Sequence, residues 1–140
     1  MIKITKERSV SIDDVLYLYQ AVGWTNYTNQ PQMLEQALSH SLTTYLARDG
    51  EEIVGLVRLV GDGFSSVFVQ DLIVLPGYQR QGIGSNLMKE ALADYKDAYQ
   101  IQLATEQTEK NLGFYRSLGF ETLSTYDCTG MIWVDRKKFK

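Results

Sequence analysis

The 140-residue chain has one cysteine, one histidine and two prolines. The lone thiol, Cys128, allows no intrachain disulfide and no cysteine-rich metal site, so no metal is expected. No uncharged apolar run approaches the roughly 20 residues that a membrane span needs. The first residues, Met1-Ile2-Lys3-Ile4-Thr5-Lys6-Glu7-Arg8, lack the apolar stretch of a secretory signal. A cytoplasmic location without a membrane partner is therefore expected. A basic excess is missing too: 14 Lys and Arg stand against 17 Asp and Glu, for a net charge of −3. That balance argues against a nucleic-acid partner, which a basic face would mark.

What is present is ordinary for one globular domain: 44% hydrophobic and 22% charged residues. A single domain over residues 1–140 is the expectation. Residues 2–5 alternate as a short strand, and Ser11 is placed to cap a helix that carries Asp13 and Asp14 in its first turn. The polar stretch Trp24 to Gln30 reads as a loop, and Pro31 opens a second helix. Strand patterns follow at 43–48, 52–60 and 65–75, separated by Asp49-Gly50 and Gly61-Asp62-Gly63. A long amphipathic helix begins near Ile83, with Leu87, Met88, Ala91 and Leu92 on one face. Residues 100–105 read as a strand and 109–118 as a helix stopped by Gly119, with two further strands at 120–125 and 130–135. The fold class is α+β: a central mixed, mostly antiparallel sheet with helices on both faces.

The strand ending at Leu75-Pro76 leads through Gln79-Arg80-Gln81-Gly82-Ile83-Gly84 into the long helix. The first N–H groups of a helix have no internal acceptor, and the dipole adds roughly half a positive charge there. Glycines let backbone approach a phosphate closely, and Arg80 adds a cation. Two common nucleotide modes fail. Ile83-Gly84 stands where a P-loop needs Lys-Ser/Thr, and Leu87 replaces the third glycine of a dinucleotide fingerprint. A glycine turn that merely enters a helix is the bland alternative for these residues.

These residues match the (Gln/Arg)-x-x-Gly-x-(Gly/Ala) motif of the GNAT family, the GCN-related N-acetyltransferases. Asp71-Leu72-Ile73-Val74-Leu75-Pro76 resembles that family's fourth strand, and Gly113-Phe114-Tyr115-Arg116-Ser117-Leu118-Gly119-Phe120 its second signature. The resemblance implies acetyl-CoA as cofactor, with its pyrophosphate on the amides of Arg80 to Ser85. It also implies pantetheine running along Leu72, Ile73 and Val74, and a strand bulge that aims an N–H at the thioester carbonyl. Tyr115 is the implied general acid for the departing thiolate, the alternative being a core aromatic with a surface hydroxyl. Asp71 is the first candidate for general base, Glu106 a second, and a water chain a third. Thr108 departs from the family, which often carries asparagine there. Thr108 and Asn111 are kept as cofactor contacts.

Trp24 and Tyr27 are candidate walls of an amine site, with packing onto the core as their alternative. His40 reads as structural, and Cys128 as a buried small hydrophobe. Transfer of an acetyl group to a small-molecule amine is the expected function. A protein N-terminal or lysine acetyltransferase, or a non-catalytic acyl-CoA-binding regulator, are the alternatives. A homodimer is a further expectation, with 130–135 as a candidate edge.

Overall fold

The computed structural model describes residues 1–135. They divide into two compact units, Met1–Thr105 and a second that begins at Glu106.

The first unit is built on five strands in the order β1-β2-β3-β4-β5. They are β1 Ile2–Glu7, β2 Thr43–Asp49, β3 Glu52–Gly61, β4 Ser66–Val74 and β5 Gln100–Leu103. Pairings are antiparallel from β1 to β4, and β5 joins β4 in parallel. Between them lie the helices α1 Ile12–Ala21, α2 Thr25–Thr28, α3 Pro31–Ser39 and α4 Ile83–Asp94. The stretch expected as a loop therefore contains the single turn α2, drawn inward by the buried ring of Tyr27.

β3 explains the layering. Residues 53–59 of this strand are buried without interruption, the pattern of a strand covered on both faces. Leu56 joins a core with Val15, Leu18, Leu34, Leu38, Leu46 and Ile73, so α1 and α3 cover that face. Its neighbour Gly55 points the other way. A Cβ there would lie 3.2 Å from a Leu87 methyl carbon and 3.2 Å from the Ile73 carbonyl oxygen. α4 thus packs on the opposite face, at a distance only glycine allows without adjustment. Ile83, Leu87, Met88 and Ala91 make its buried stripe.

β4 carries an irregularity. Arg58 pairs with Asp71 but Leu59 with Val69, so Gln70 is an extra residue without a partner on β3. The β4–β5 ladder ends at the same place, with Val69 opposite Leu103. Past that point β4 continues through 70–74 beyond the end of β5.

In the second unit α5 spans Glu109–Ser117, and a 3₁₀ turn occupies Leu123–Tyr126. The two strands expected at 120–125 and 130–135 are not formed. Apolar patterning makes a strand only where an edge receives it. Here Met131, Ile132, Trp133 and Val134 are all exposed. Cys128, expected to be buried, is exposed as well.

Candidate active site

The start of α4 differs from those of α1 and α5; α3 also lacks a side-chain cap and an early acid, but it opens on Pro31, which has no N–H to offer, and not on a glycine turn. α1 is capped by the Ser11 side chain, with Asp13 and Asp14 in its first turn. α5 is capped by Thr108, whose hydroxyl accepts from the Asn111 N–H at 3.1 Å, with Glu109 following. α4 has neither: its N-cap is Gly82, no side chain caps it, and its first turn holds no acid. The first bond into it is Asn86 N–H to Gly82 O, 3.0 Å. The amides of Ile83, Gly84 and Ser85 are thus the orphan donors of this helix. An anion here meets aligned N–H groups, a positive dipole end and no carboxylate from the helix's own first turn.

The approach to α4 is shaped for this. A 3₁₀ turn at Pro76–Tyr78 ends β4, and the Gln79 side-chain amide donates to the Val74 carbonyl at 3.1 Å. Arg80 has φ 66 and Gly82 φ 81. Gly82 needs glycine for that angle, and a Cβ built there meets nothing within 4 Å. Its open side faces solvent, not the core. Arg80 holds the same left-handed region without glycine's freedom, a form of strain that gathers at ligand-binding turns. Gln79, Arg80, Gln81 and Gly82 are exposed, Gly84 and Ser85 half-buried. Ile83 is 3% exposed, so its side chain anchors α4 and only its amide faces a ligand. On β4, Leu72 and Val74 are half-buried while Ile73 turns into the core.

Asp71 sits in a different setting from the one expected of a base. It is 2% exposed and forms an ion pair with Arg58, itself 4% exposed, through Arg58 Nε to Asp71 Oδ2 at 2.7 Å. The Tyr19 hydroxyl donates to the same oxygen at 2.9 Å, and the Tyr27 hydroxyl to Oδ1 at 2.8 Å. A base must come within hydrogen-bond reach of the proton it takes. A buried carboxylate ringed by three donors does not, and this geometry does not suit the role expected of Asp71.

Tyr27 is saturated as well. While its proton goes to Asp71, its oxygen accepts from Arg58 Nη2 at 3.2 Å and Gln70 Nε2 at 3.4 Å. Burial, then the Asp71 charge, raises the pKa of Tyr27 and of Tyr19 alike, so both stay neutral. Burial alone would lower that of Arg58, but Asp71 outweighs it and the shift is upward. The Tyr27 ring packs edge-on to Tyr19 at 5.0 Å. Trp24 is half-buried against the same core. Both aromatics thus follow the core-packing alternative in most of their surface. Arg58 is the member that the motifs missed. Its signal was there: one cation inside the apolar run of β3, and one acid inside the run of β4, joined by a short hairpin turn.

In the second unit, Tyr115 lies edge-on between Phe114 (5.0 Å) and Phe120 (5.9 Å). Burial raises its pKa from the ordinary 10.0. Among the described residues its hydroxyl makes no hydrogen bond. Glu106 is exposed. His40 closes α3 locally, its Nδ1 donating to the Gln36 carbonyl at 2.8 Å. Among the described residues no three His, Cys, Asp or Glu side chains could hold a metal, and no helix could cross a membrane.

The model of the acetyltransferase (GNAT) domain matches residues 40–122. A serotonin N-acetyltransferase 2, chloroplastic, from Oryza sativa subsp. japonica is 32% identical over 65% of this chain and 48% of its own length. A GCN5-related N-acetyltransferase 1, chloroplastic, from Arabidopsis thaliana is 27% identical over 94% of this chain and 66% of its own. The chain thus spans about half to two-thirds of these relatives. Among solved structures, a GNAT-family acetyltransferase protein from Streptococcus pneumoniae TIGR4 is 74% identical. Its TM-score is 0.90, with 97% of this chain and 99% of that chain covered. A GNAT-family acetyltransferase from Elizabethkingia anophelis, solved with acetyl-CoA bound, shares the fold at 22% identity and TM-score 0.63 over 86% and 76% of the two chains. The family model covers more than half of the sequence, and its match contains both motifs and the uncapped start of α4; this chain belongs to the GNAT acetyltransferase family.

Proposed function

We propose that the chain is an acetyl-CoA-dependent N-acetyltransferase acting on the primary amine of a small molecule. The observation that carries it is the uncapped, acid-free start of α4 directly after a β4 that outruns β5. The first feature suits a pyrophosphate and the second an extended arm that adds to a free strand edge.

In this reading the amides of Arg80 to Ser85 hold the pyrophosphate, and Arg80 adds charge. The backbone of Leu72, Ile73 and Val74 aligns the pantetheine. The bulge at Gln70 interrupts the ladder beside this stretch, where a freed N–H can polarise the thioester carbonyl. Such a donor is worth about 2.7–4 kcal/mol in the transition state. Acetyl-CoA supplies the activated acyl group, which the neutral amine attacks. Tyr115 donates its proton to the departing sulfur, a role that rests on the Gly113 to Phe120 motif. Its raised pKa keeps the proton in place across neutral pH. Asp71 positions and does not abstract. The amine proton leaves through water or Glu106, and Thr108 and Asn111 contribute to holding the cofactor from the start of α5. Half-buried Trp24 borders the acceptor, and Tyr27, buried in the core, supports it from behind.

The test is free-thiol release from acetyl-CoA against a panel of small amines, amino acids and peptides. Turnover with a small amine supports the reading. Turnover with peptides alone makes the chain a protein acetyltransferase, and tight CoA binding without any turnover makes it a regulator.

A further inference from the structure

The ion pair buried beneath the β4 bulge abstracts and donates no proton in the chemistry above, yet it joins β3 and β4 to α1, α2 and Ser41. Arg58 and Asp71 are cross-strand partners at the last regular position before the extra residue Gln70. The guanidinium reaches Asp71 through Nε, Ser41 through Nη1 (3.1 Å) and Tyr27 through Nη2. Asp71 in turn holds Tyr19 of α1 and Tyr27 of α2. The Gln70 side chain closes the circuit on the Tyr27 hydroxyl. Among the described residues no buried side-chain polar atom is left without a partner.

Such a pair specifies register more than it stabilises. Sliding β4 by one residue to remove the bulge would turn Asp71 to the opposite face. Arg58 would be left as a buried charge without its partner, a state that proteins avoid strongly. The bulge is therefore locked from below, and α1 and α2 are tied to the same lock through Tyr19 and Tyr27.

We infer that Arg58 is a positioning residue, which acts through Asp71 and Tyr27 to fix the bulge at Gln70 and the α2 turn relative to each other. This inference rests on the acetyltransferase reading for its effect on rate, though not for its effect on β4. At 4% exposure Arg58 touches no substrate. Its influence is on where the β4 backbone and the Tyr27 ring stand when acetyl-CoA and amine are bound.

The experiment compares the wild type, Arg58→Lys, Tyr27→Phe and the double change Arg58→Met with Asp71→Leu. The double change replaces the pair with apolar volume, which usually leaves a fold intact. Four quantities are read: CoA affinity by direct titration, kcat and KM with the best acceptor, and hydrogen exchange of the amides at 69–72. The inference expects the double variant to bind CoA within about threefold of wild type and to lose about 10²-fold in kcat, the order that a 1 Å misplacement produces. Its amides at 69–72 should exchange faster. Tyr27→Phe should lower kcat by roughly tenfold, the worth of a lost hydrogen bond, and Arg58→Lys should retain more rate than the double change. Wild-type kcat together with wild-type exchange in a folded double variant overturns the inference. Should that variant not fold, the same result in Tyr27→Phe overturns it. A wild type that turns over no amine defeats the acetyltransferase reading instead, and the exchange at 69–72 still decides the positioning claim.

Discussion

Tyr115 and Asp71 each belong to a residue type that serves either chemistry or structure, and substitution separates the two. For Tyr115, replacement by phenylalanine should leave CoA affinity unchanged and cut kcat by about 10²–10⁴-fold, the span of acid–base groups. Isothermal titration and thiol release separate the two effects. The direction of its pKa shift gives a second expectation. A tyrosine is the active acid below its pKa, and burial moves this one above 10.0. The rate should therefore rise with pH as the amine loses its proton, and show no loss from Tyr115 until above about pH 10. For Asp71, the pair with Arg58 implies a stability effect. Asp71→Asn strands a buried guanidinium and should cost about 3–5 kcal/mol in denaturant unfolding. A base without that partner would show a rate loss at wild-type stability. Arg58 lies outside every sequence signature. A lone cation in a buried strand is a legible signal only when it is paired with the lone acid of the next strand.

Helix α4 shows how much of a site one element can carry. Its glycines and Arg80 were readable in order from Gln79 to Gly84, and the structure adds the missing cap, the missing first-turn acid and the backbone angles. Gly82→Val should abolish CoA binding while the protein remains folded, because valine is strained at φ 81 and its branch projects into open space where the phosphate is proposed to approach. Titration and a thermal melt check both halves, and retained affinity would move the phosphate elsewhere. The bulge in β4 was expected from the family but not locatable. Its position at Gln70 depends on a register that only the cross-strand partners reveal. α2 was missed for a related reason: Trp24 to Gln30 has loop composition, and what curls it is the burial of Tyr27 by Asp71 and Arg58.

Across the molecule, periodicity named the sheet of the first unit correctly because its strands bury side chains in the alternation or continuous run that their position requires. It failed after Phe120. There the residues have strand propensity, but among the described residues no partner edge meets them, and Met131 to Val134 stay on the surface. Propensity is a local property and pairing is not. Function follows the same division. The proposed anion site and the free strand edge fall on residues of the first unit, and the proposed acid Tyr115 on a residue of the second. Changes at Gly82 should therefore act on binding and those at Tyr115 on rate. The most direct measurement is the set of backbone amide chemical shifts recorded as CoA is titrated into the labelled protein. The largest changes should fall on Arg80 to Ser85 and along 70–74. Saturable binding that leaves those amides unmoved would contradict the site described here.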